Sequence, residues 1–350
     1  MSGYVIGVHK SPPNFFSDKW IEFLDKHGAT VKELDLMRPD ALNQCAECDA
    51  VMWHWCHEPY EQRYQAHPVL ESLERYQDKV VFPNSMTAWH FDDKVAQSYL
   101  FDALKIPTPN WWVFSYETRD DALLWAETAP LPLVRKASFG AGSNQVSLIK
   151  TRDELRELLE HSLVPGGKGS YFRPCAYQDF FRTDVKGPHR LLSWMRYRFT
   201  YYRKHFQLLS NMTELAYLQV FIPQNDYDIR VTVIGDRAFV FRRHNRPDDF
   251  RASGSGMIDH EHFDDEKAVA HFAHEMALRM HSQSAAFDIL RTDEGYKILE
   301  VSYGYLDTAV HDCSGYWKRT GEWVEGHMWP QEAHVLDVLE ALDKKKGCRG

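Results

Sequence analysis

Two carboxylates in the last quarter of the chain could bind a metal ion. Asp288 lies in the apolar run 285–290 and Glu300 in the run 296–301, and both runs have the composition of β-strands. Carboxylates on adjacent antiparallel strands can hold Mg²⁺ between themselves and nucleotide phosphates, while water fills the remaining positions. The alternative is two solvated residues at a sheet edge.

Arginines are concentrated before these strands. Arg243 ends a predicted strand, and Arg251 follows in a polar loop. Guanidinium groups that converge on one region repel one another unless an anion lies between them, such as a phosphate or an acyl phosphate. The alternative is a surface ion-pair network formed by Arg242, Arg243, Arg246, Asp248 and Asp249.

Lys136 is followed by a glycine-rich loop that contains Gly140, Gly142 and Ser143. A lysine at a strand end supplies a positive charge for a phosphate, and glycines allow backbone N–H groups to approach it closely. Most loops of the form Gly-x-Gly are hairpin turns, and that alternative stays open.

Strands and helices alternate around these residues. The N-terminal part has predicted strands at 4–8, 30–34, 49–55 and 79–82, with helices at 17–27 and 69–76. This alternation is typical of a parallel sheet with helices on both faces. Later strands are predicted at 131–136, 145–149, 218–222, 228–234, 238–243, 285–290 and 296–301, with helices at 92–104, 151–161 and 266–281.

Composition limits the class of protein. The chain has 350 residues, 44% of them hydrophobic, and a net charge of -9, which argues against non-specific binding of nucleic acid. It contains no long uncharged apolar run and no signal-peptide pattern, so we expect a cytoplasmic protein without stable membrane insertion. The six cysteines are irregularly spaced, which favours free thiols.

Five segments resemble the ATP-grasp superfamily and, within it, the RimK-type carboxylate-amine ligases. The segments are Asn84–Lys94, Pro132–Val146, Tyr217–Gly235, Arg243–Gly254 and Phe287–Ser302. The resemblance implies an α/β protein with an ATP-grasp fold and an N-terminal Rossmann-like (pre-ATP-grasp) parallel sheet domain. It also implies three domains: 1–83 Rossmann-like, 84–217 a lid subdomain with an Arg/aromatic insertion near 171–211, and 218–350 a catalytic subdomain with a C-terminal cap.

The resemblance further assigns the site and its cofactors, ATP and Mg²⁺. The nucleotide-binding residues would be Lys94, Lys136, Gly140, Gly142, Ser143, Gln219, Val220 and Ile222. The catalytic residues would be Arg230, Arg243 and Arg251, and the metal ligands Asp288, Glu300 and Ser302. Ser302 stands where the family usually has asparagine, so a lost second metal is an open alternative.

The implied reaction is ATP-dependent amide formation between a small carboxylate and an amine through an acyl phosphate. The stretch 245–254 and the tail after 303 resemble members associated with bacterial surface polysaccharide biosynthesis. That likeness suggests a uronic acid or an amino-acid carboxylate, with a sugar or a lipid-linked saccharide as a further candidate. A homodimer is compatible with the sequence. The alternatives are an ATP-grasp phosphotransferase and an inactive nucleotide-binding regulator.

Four other groups of residues are candidates for function. His9, Lys10, Asn14 and the stretch 54–58 follow predicted strands, where an acceptor could bind; loop packing is the alternative. The aromatic tail after 303 could stack on a sugar or cap the sheet. The insertion near 171–211 could contact a lipid-linked acceptor or a nucleic acid, or cover the protein's own surface. Cys45 and Cys48 have zinc-ligand spacing, with a loop as the alternative.

Overall fold

The computed structural model describes the following residues: 3–10, 15–55, 60–138, 146–163, 215–247, 249–252 and 254–348. The predicted glycine loop and the Arg/aromatic insertion lie outside these ranges. The chain divides into two units: the first comprises 1–92, 99–108 and 224–350, and the second 93–98 and 109–223. The first unit therefore contains both terminal parts of the chain.

The N-terminal part of the first unit is a parallel sheet with strand order β2-β1-β3-β4. Strands and helices alternate as β1 (Val5–His9), α1 (Phe15–Lys26), β2 (Thr30–Leu34), α2 (Ala41–Gln44), β3 (Ala50–Met52), α3 (Tyr60–Tyr76), β4 (Val80–Phe82) and α4 (Ser85–Ala88). The parallel pairing confirms the predicted Rossmann-like sheet. Helix α3 begins nine residues before the predicted 69–76, and Pro68 lies within it.

The second unit contains an antiparallel sheet with strand order β5-β8-β6-β7. Helix α5 (Lys94–Ala103) begins in this unit and ends in the first one. The other elements of the second unit are β5 (Trp111–Ser115), α6 (Arg119–Ala126), β6 (Leu133–Lys136), β7 (Val146–Ile149), α7 (Arg152–Ser162) and β8 (Leu215–Val220). Helix α7 begins with a capping box in which Thr151 and Glu154 satisfy each other's backbone N–H groups.

The rest of the first unit is built on a mainly antiparallel sheet with strand order β13-β12-β9-β10-β14-β15, and β11 pairs with β10. Its elements are β9 (Tyr227–Ile234), β10 (Arg237–His244), β11 (Ile258–Asp259), α8 (Glu266–Arg279), β12 (Ser284–Thr292), β13 (Gly295–Ser302), α9 (Asp307–His311), β14 (Gly315–Lys318), β15 (Trp323–Glu325) and α10 (Pro330–Gly347). Gly235, with φ +59°, lies in the turn between β9 and β10.

Helices cover both sheets of the first unit. Helix α8 packs on one face of the antiparallel sheet, where Val269, Ala273 and Met276 join the strand residues in one apolar cluster. Helix α10 packs beside α1 on the N-terminal parallel sheet, through Val335 and Val338. The C-terminal helix therefore packs against the N-terminal sheet, and the division of the chain at 83 and 217 stays a prediction. Within the described ranges, no helix is long and apolar enough to cross a membrane.

Candidate active site

Strand β9 separates apolar from polar residues by simple alternation. Successive side chains of a strand point to opposite faces of the sheet. Ile229, Val231 and Val233 belong to the apolar cluster under α8. The residues between them therefore point to the opposite face, which we call the polar face. It carries Asp228, Arg230 and Thr232 from β9 and their cross-strand neighbours Arg243, Asp288 and Ala286. Two further cross-strand neighbours, Phe239 and Phe241, join a second apolar cluster on this face.

Four charged side chains form a continuous row of ion pairs on the polar face. Arg243 donates two hydrogen bonds to Asp228, from Nε to Oδ1 at 2.7 Å and from Nη2 to Oδ2 at 2.6 Å. Its Nη2 also lies 2.8 Å from Oδ2 of Asp288. The other oxygen of Asp288, Oδ1, lies 2.6 Å from Nε of Arg230. Negative and positive charges therefore alternate along the row.

Burial makes this row energetically important. The four side chains are between 8% and 14% exposed. Burial acts to raise the pKa of Asp288, but Arg230 and Arg243 together outweigh it and hold the pKa below its usual value. A buried ion pair contributes little net stability, whereas removal of one partner leaves an uncompensated charge at a cost of about 3 to 5 kcal/mol. We therefore expect the row to position its arginines rather than to stabilise the fold.

A β-bulge places Glu300 on the same face. Asp288 pairs with Glu300, but Ile289 pairs with Ile298, so Leu299 is an extra residue in β13. Ile298 lies in the core under α8 although it is only two residues from Glu300. Without the bulge, alternation would direct Ile298 and Glu300 to one face. The bulge thus allows Glu300 to lie opposite Asp288, as the sequence predicted.

Within the described residues, protein side chains alone do not form a metal-binding site. Asp288 and Glu300 are cross-strand partners, but both oxygens of Asp288 are already within ion-pair distance of arginines. In the part of the chain that the structure describes, no three His, Cys, Asp or Glu side chains are grouped suitably for a metal. Asp288 in this arrangement does not fit a Mg²⁺ ligand, and its assignment to a metal stays a prediction.

Ser302, the third predicted ligand, is engaged in a local turn. Its hydroxyl donates to the carbonyl oxygen of Gly304 at 2.7 Å and accepts from the N–H of Gly304 at 3.1 Å. Short side-chain hydrogen bonds of this kind shape turns. The geometry gives Ser302 a structural role at the end of β13.

Arg251 is not a member of the ion-pair row. Its Nε lies 2.9 Å from both carboxylate oxygens of Asp249, two residues earlier, and its Nη2 also contacts that carboxylate. The hydrogen bond from Arg251 lowers the pKa of Asp249. Of the three arginines that the resemblance assigns to catalysis, Arg230 and Arg243 are brought together, whereas Arg251 pairs within its own loop.

The second unit contains the predicted nucleotide-binding residues. Lys136 ends β6, and its Nζ donates to Oε1 of Gln219 on the neighbouring strand at 2.7 Å. Lys94 begins α5 and is buried, with its backbone N–H bonded to the carbonyl oxygen of Ser138. The structure thus brings Lys136 and Gln219 together. Gly140, Gly142 and Ser143 lie outside the described residues.

Three further predicted nucleotide-binding residues, Gln219, Val220 and Ile222, lie at the end of strand β8 and just beyond it. The N–H of Val220 donates to Asn110, and that of Phe221 to Pro132. Strand β8 begins at Leu215 and ends at Val220, whereas the prediction was 218–222, so Ile222 lies beyond the strand. Apolar residues occupy both the observed strand 215–220 and the predicted strand 218–222, so composition alone could not locate the ends of the strand. The assignment of Gln219, Val220 and Ile222 to the nucleotide stays a prediction.

The other candidates mostly belong to the core. His9 is 2% exposed, and its Nδ1 accepts the N–H of Leu36 at 3.0 Å. His54 is 3% exposed, and its ring stacks on Phe16 with centroids 3.9 Å apart. These contacts favour packing over acceptor binding.

The cysteine and tail candidates are also engaged within the chain. Cys45 and Cys48 are buried in the N-terminal core, and burial raises the pKa of Cys45 to about 12, which disfavours a thiolate ligand. In the tail, the ring of Trp329 stacks on His311 at 3.9 Å, and Nζ of Lys19 lies 2.9 Å from its centroid. Cys56, His57 and Asn14 lie outside the described residues.

Asp228 is the site residue that sequence reasoning missed. It lies two residues before Arg230 in a strand with apolar residues at every other position. That spacing places Asp228 on the face of Arg230, and it was the available signal. The partner of Asp228 is Arg243, fifteen residues later, which only the register of β9 and β10 reveals.

Similarity to known proteins is confined to structure. No protein-family model matches the sequence, and no curated protein matches it. A RimK domain protein ATP-grasp from Sphaerobacter thermophilus is 13% identical, with 96% of this chain and 99% of that chain covered and a TM-score of 0.54. D-alanine–D-alanine ligase from Bacillus anthracis is 14% identical, with coverages of 99% and 100% and a TM-score of 0.57.

A third solved structure is the ATP-grasp ligase PsnB in complex with a minimal precursor, Mg and ADP. It is 14% identical to this chain, with 97% of this chain and 98% of that chain covered and a TM-score of 0.53. Similarity at this identity, over almost the full length, establishes the fold. The chain has the ATP-grasp fold, as its five sequence segments predicted.

Proposed function

We propose that this protein is an ATP-dependent ligase that joins a carboxylate to an amine. The row of buried charges on the polar face carries the proposal, because it holds Arg230 and Arg243 at fixed positions on an ATP-grasp fold. Fixed guanidinium groups match the charge and geometry of a phosphoryl group. The ligases among the solved structures support ligation as the use of the nucleotide.

The proposed reaction has two steps. A carboxylate oxygen attacks the γ-phosphorus of ATP, which forms an acyl phosphate and releases ADP. The amine then attacks the acyl carbon, a C–N bond forms, and the C–O bond to phosphate breaks. The protein contributes position and charge neutralisation, since it forms no covalent bond itself.

The residue roles follow the family resemblance. Arg230, Arg243 and Arg251 would neutralise the transferring phosphoryl group. The nucleotide would be bound by Lys94, Lys136, Gly140, Gly142, Ser143, Gln219, Val220 and Ile222. When bound to ATP, Mg²⁺ would offset phosphate charge, and the resemblance assigns Asp288, Glu300 and Ser302 to it. Because both oxygens of Asp288 lie within ion-pair distance of arginines, Asp288 does not fit a Mg²⁺ ligand in this arrangement, and no step in the proposal depends on a metal there.

The substrate proposal is narrower. We propose that the acid is a uronic acid or an amino-acid carboxylate, used in the synthesis of a bacterial surface polysaccharide, and that the second candidate substrate is a sugar or a lipid-linked saccharide. This assignment rests on the resemblance of the stretch 245–254 and of the tail after 303 to ATP-grasp proteins associated with that synthesis. We further propose a cytoplasmic enzyme, the three-domain division at 83 and 217, and a homodimer as the form to test.

ADP release with pairs of carboxylates and amines tests the proposal. We expect ADP to form with a carboxylate and an amine together, and the product to contain a new amide by mass spectrometry. Release of ADP with a phosphorylated product and no dependence on the amine would instead identify a phosphotransferase. The Arg243→Lys variant should form ADP more slowly than the unmodified protein. Its matched control is Arg242→Lys, because Arg242 also pairs with an aspartate, Asp259, but on the opposite face of the sheet.

A nucleotide-binding regulator is the second candidate. Two observations favour it: Ser302 is engaged with Gly304, and Asp288 is held by arginines. A regulator would bind ADP or ATP and show no turnover with any pair of substrates. Tight nucleotide binding together with failure of the full panel would support it over the ligase.

A further inference from the structure

Asp288 is enclosed by two guanidinium groups. One oxygen lies 2.6 Å from Nε of Arg230 and the other 2.8 Å from Nη2 of Arg243. A Mg²⁺ ligand must present an oxygen to the ion at about 2.0 to 2.1 Å. A cation at either oxygen would therefore lie close to a guanidinium of the same charge, and the repulsion would be strong in this buried site.

We propose that Asp288 is an internal counter-ion, which takes the place of an anionic ligand on Arg230 and Arg243 until such a ligand binds. Its carboxylate and the phosphate oxygens of a nucleotide or acyl phosphate compete for the same guanidinium groups. The identity of that anion rests on the proposed function, whereas the competition rests on the ion pairs alone. Asp288 is then a positioning residue for the two arginines, and it does not hold a metal ion before the nucleotide binds.

The charge arrangement predicts what removal of Asp288 does. The row contains two carboxylates and two guanidinium groups, so its net charge is zero. Asp288→Asn leaves the row with one excess positive charge in a buried position. Arg243 stays held by its paired hydrogen bonds to Asp228, so its position is preserved. The variant therefore presents a preformed anion site.

Binding of pyrophosphate without any divalent metal tests the competition. Calorimetry in EDTA would compare the unmodified protein with Asp288→Asn and with Asp259→Asn, in which the neighbouring Arg242 loses its aspartate instead. We expect Asp288→Asn to bind pyrophosphate about tenfold or more tightly than the unmodified protein, because an opposing charge is gone. Asp259→Asn should show no gain. Equal or weaker binding by Asp288→Asn overturns the proposal.

A second measurement does not require the Asp288 variant to fold. Electron paramagnetic resonance counts bound Mn²⁺ on the unmodified protein and on Glu300→Gln, both without nucleotide. We expect the spectrum of free Mn²⁺, or bound Mn²⁺ that Glu300→Gln leaves unchanged. Bound Mn²⁺ that disappears in Glu300→Gln would establish a preformed metal site at this pair and overturn the proposal.

The two hypotheses fail in different ways. If Asp288→Asn gains pyrophosphate affinity but the unmodified protein binds no ADP or ATP, the counter-ion stands and the proposed function fails. If the unmodified protein binds ADP with Mg²⁺ but Asp288→Asn gains nothing for pyrophosphate, the proposed function stands and the counter-ion fails.

Discussion

The antiparallel sheet of the first unit has two faces, and two regions on them differ in kind. Under α8 lies an apolar core in which Val231, Phe287 and Ile289 are fully buried. The polar face carries the row of four charges, which are also buried but compensate one another, beside a second apolar cluster that contains Phe239 and Phe241. Apolar burial stabilises a fold, whereas a compensated charge row mainly fixes geometry. Substitutions on the two faces should therefore affect different properties.

The largest effect is expected on the apolar face. Phe287→Ala removes a fully buried ring, and we expect the free energy of unfolding to fall by about 3 to 5 kcal/mol. Urea denaturation measures this loss. The folded variant should retain its affinity for ADP. A large loss of that affinity would mean that the apolar core under α8 affects nucleotide binding as well as stability.

A comparable effect, but on activity, is expected on the polar face. Arg243→Lys keeps the charge and loses the paired hydrogen bonds to Asp228. We expect ADP formation to fall about 10²- to 10³-fold, since loss of one fixed donor to a transition-state charge has effects of this size. Steady-state kinetics, separating kcat from KM, measure it. Unchanged kcat would contradict a role for Arg243 in the chemical step.

A smaller effect concerns pH and a buried histidine of the C-terminal helix α10. His334 on α10 lies 2.9 Å from the hydroxyl of Tyr305 and 3.2 Å from that of Ser284, and burial lowers its pKa well below the usual value. The unfolded chain binds a proton near pH 6.5 and the folded protein does not, so stability should fall as pH drops below about 6.5.

The expected slope is about 1.4 kcal/mol per pH unit for this one group, down to the folded-state pKa. Urea denaturation between pH 7 and pH 5 would compare the unmodified protein with His334→Asn. The variant should be less stable at pH 7 and should have a shallower pH dependence. Burial also lowers the pKa of His9, His67, His90 and His274, so part of the slope should persist in the variant. An identical slope in both proteins would show that His334 does not contribute to it.

The smallest effect is expected for the arginine next to Arg243 in sequence. Arg242 points to the α8 side, where it pairs with Asp259 and lies over the rings of Tyr227 and Phe263. Arg242→Lys should change stability by about 1 kcal/mol or less and leave ADP formation intact. A loss of activity as large as that of Arg243→Lys would remove the distinction between the two faces.

Much of the fold was predictable because its elements have strong local signals. The strands of the N-terminal sheet are short β-branched or apolar runs, and the turn at Gly235 and Asp236 joins two alternating segments. Strand β5, Trp111–Ser115, was missed, since its aromatic run lacks alternation and its pairing with β8 is more than one hundred residues away in sequence.

The site was predictable in composition but not in pairing. The sequence proposed Arg230, Arg243, Asp288 and Glu300 and predicted that Asp288 and Glu300 lie on adjacent antiparallel strands, which the register confirms. It did not predict that the strand of Arg230 lies between those of Arg243 and Asp288. It could not show that Asp288 is held by both arginines, because the distances between side chains depend on the register of three strands. The bulge at Leu299 is likewise absent from any local pattern.

Titration of a non-hydrolysable ATP analogue with Mg²⁺ into the unmodified protein, Arg243→Lys and Arg242→Lys tests the central claim most directly. The analogue keeps the γ-phosphate, which is the group that Arg243 is proposed to neutralise and which ADP lacks. We expect the unmodified protein and Arg242→Lys to bind it equally well and Arg243→Lys to bind it about tenfold more weakly or worse. Failure of the unmodified protein to bind the analogue, or equal weakening by both substitutions, would contradict a nucleotide-binding role for the polar face.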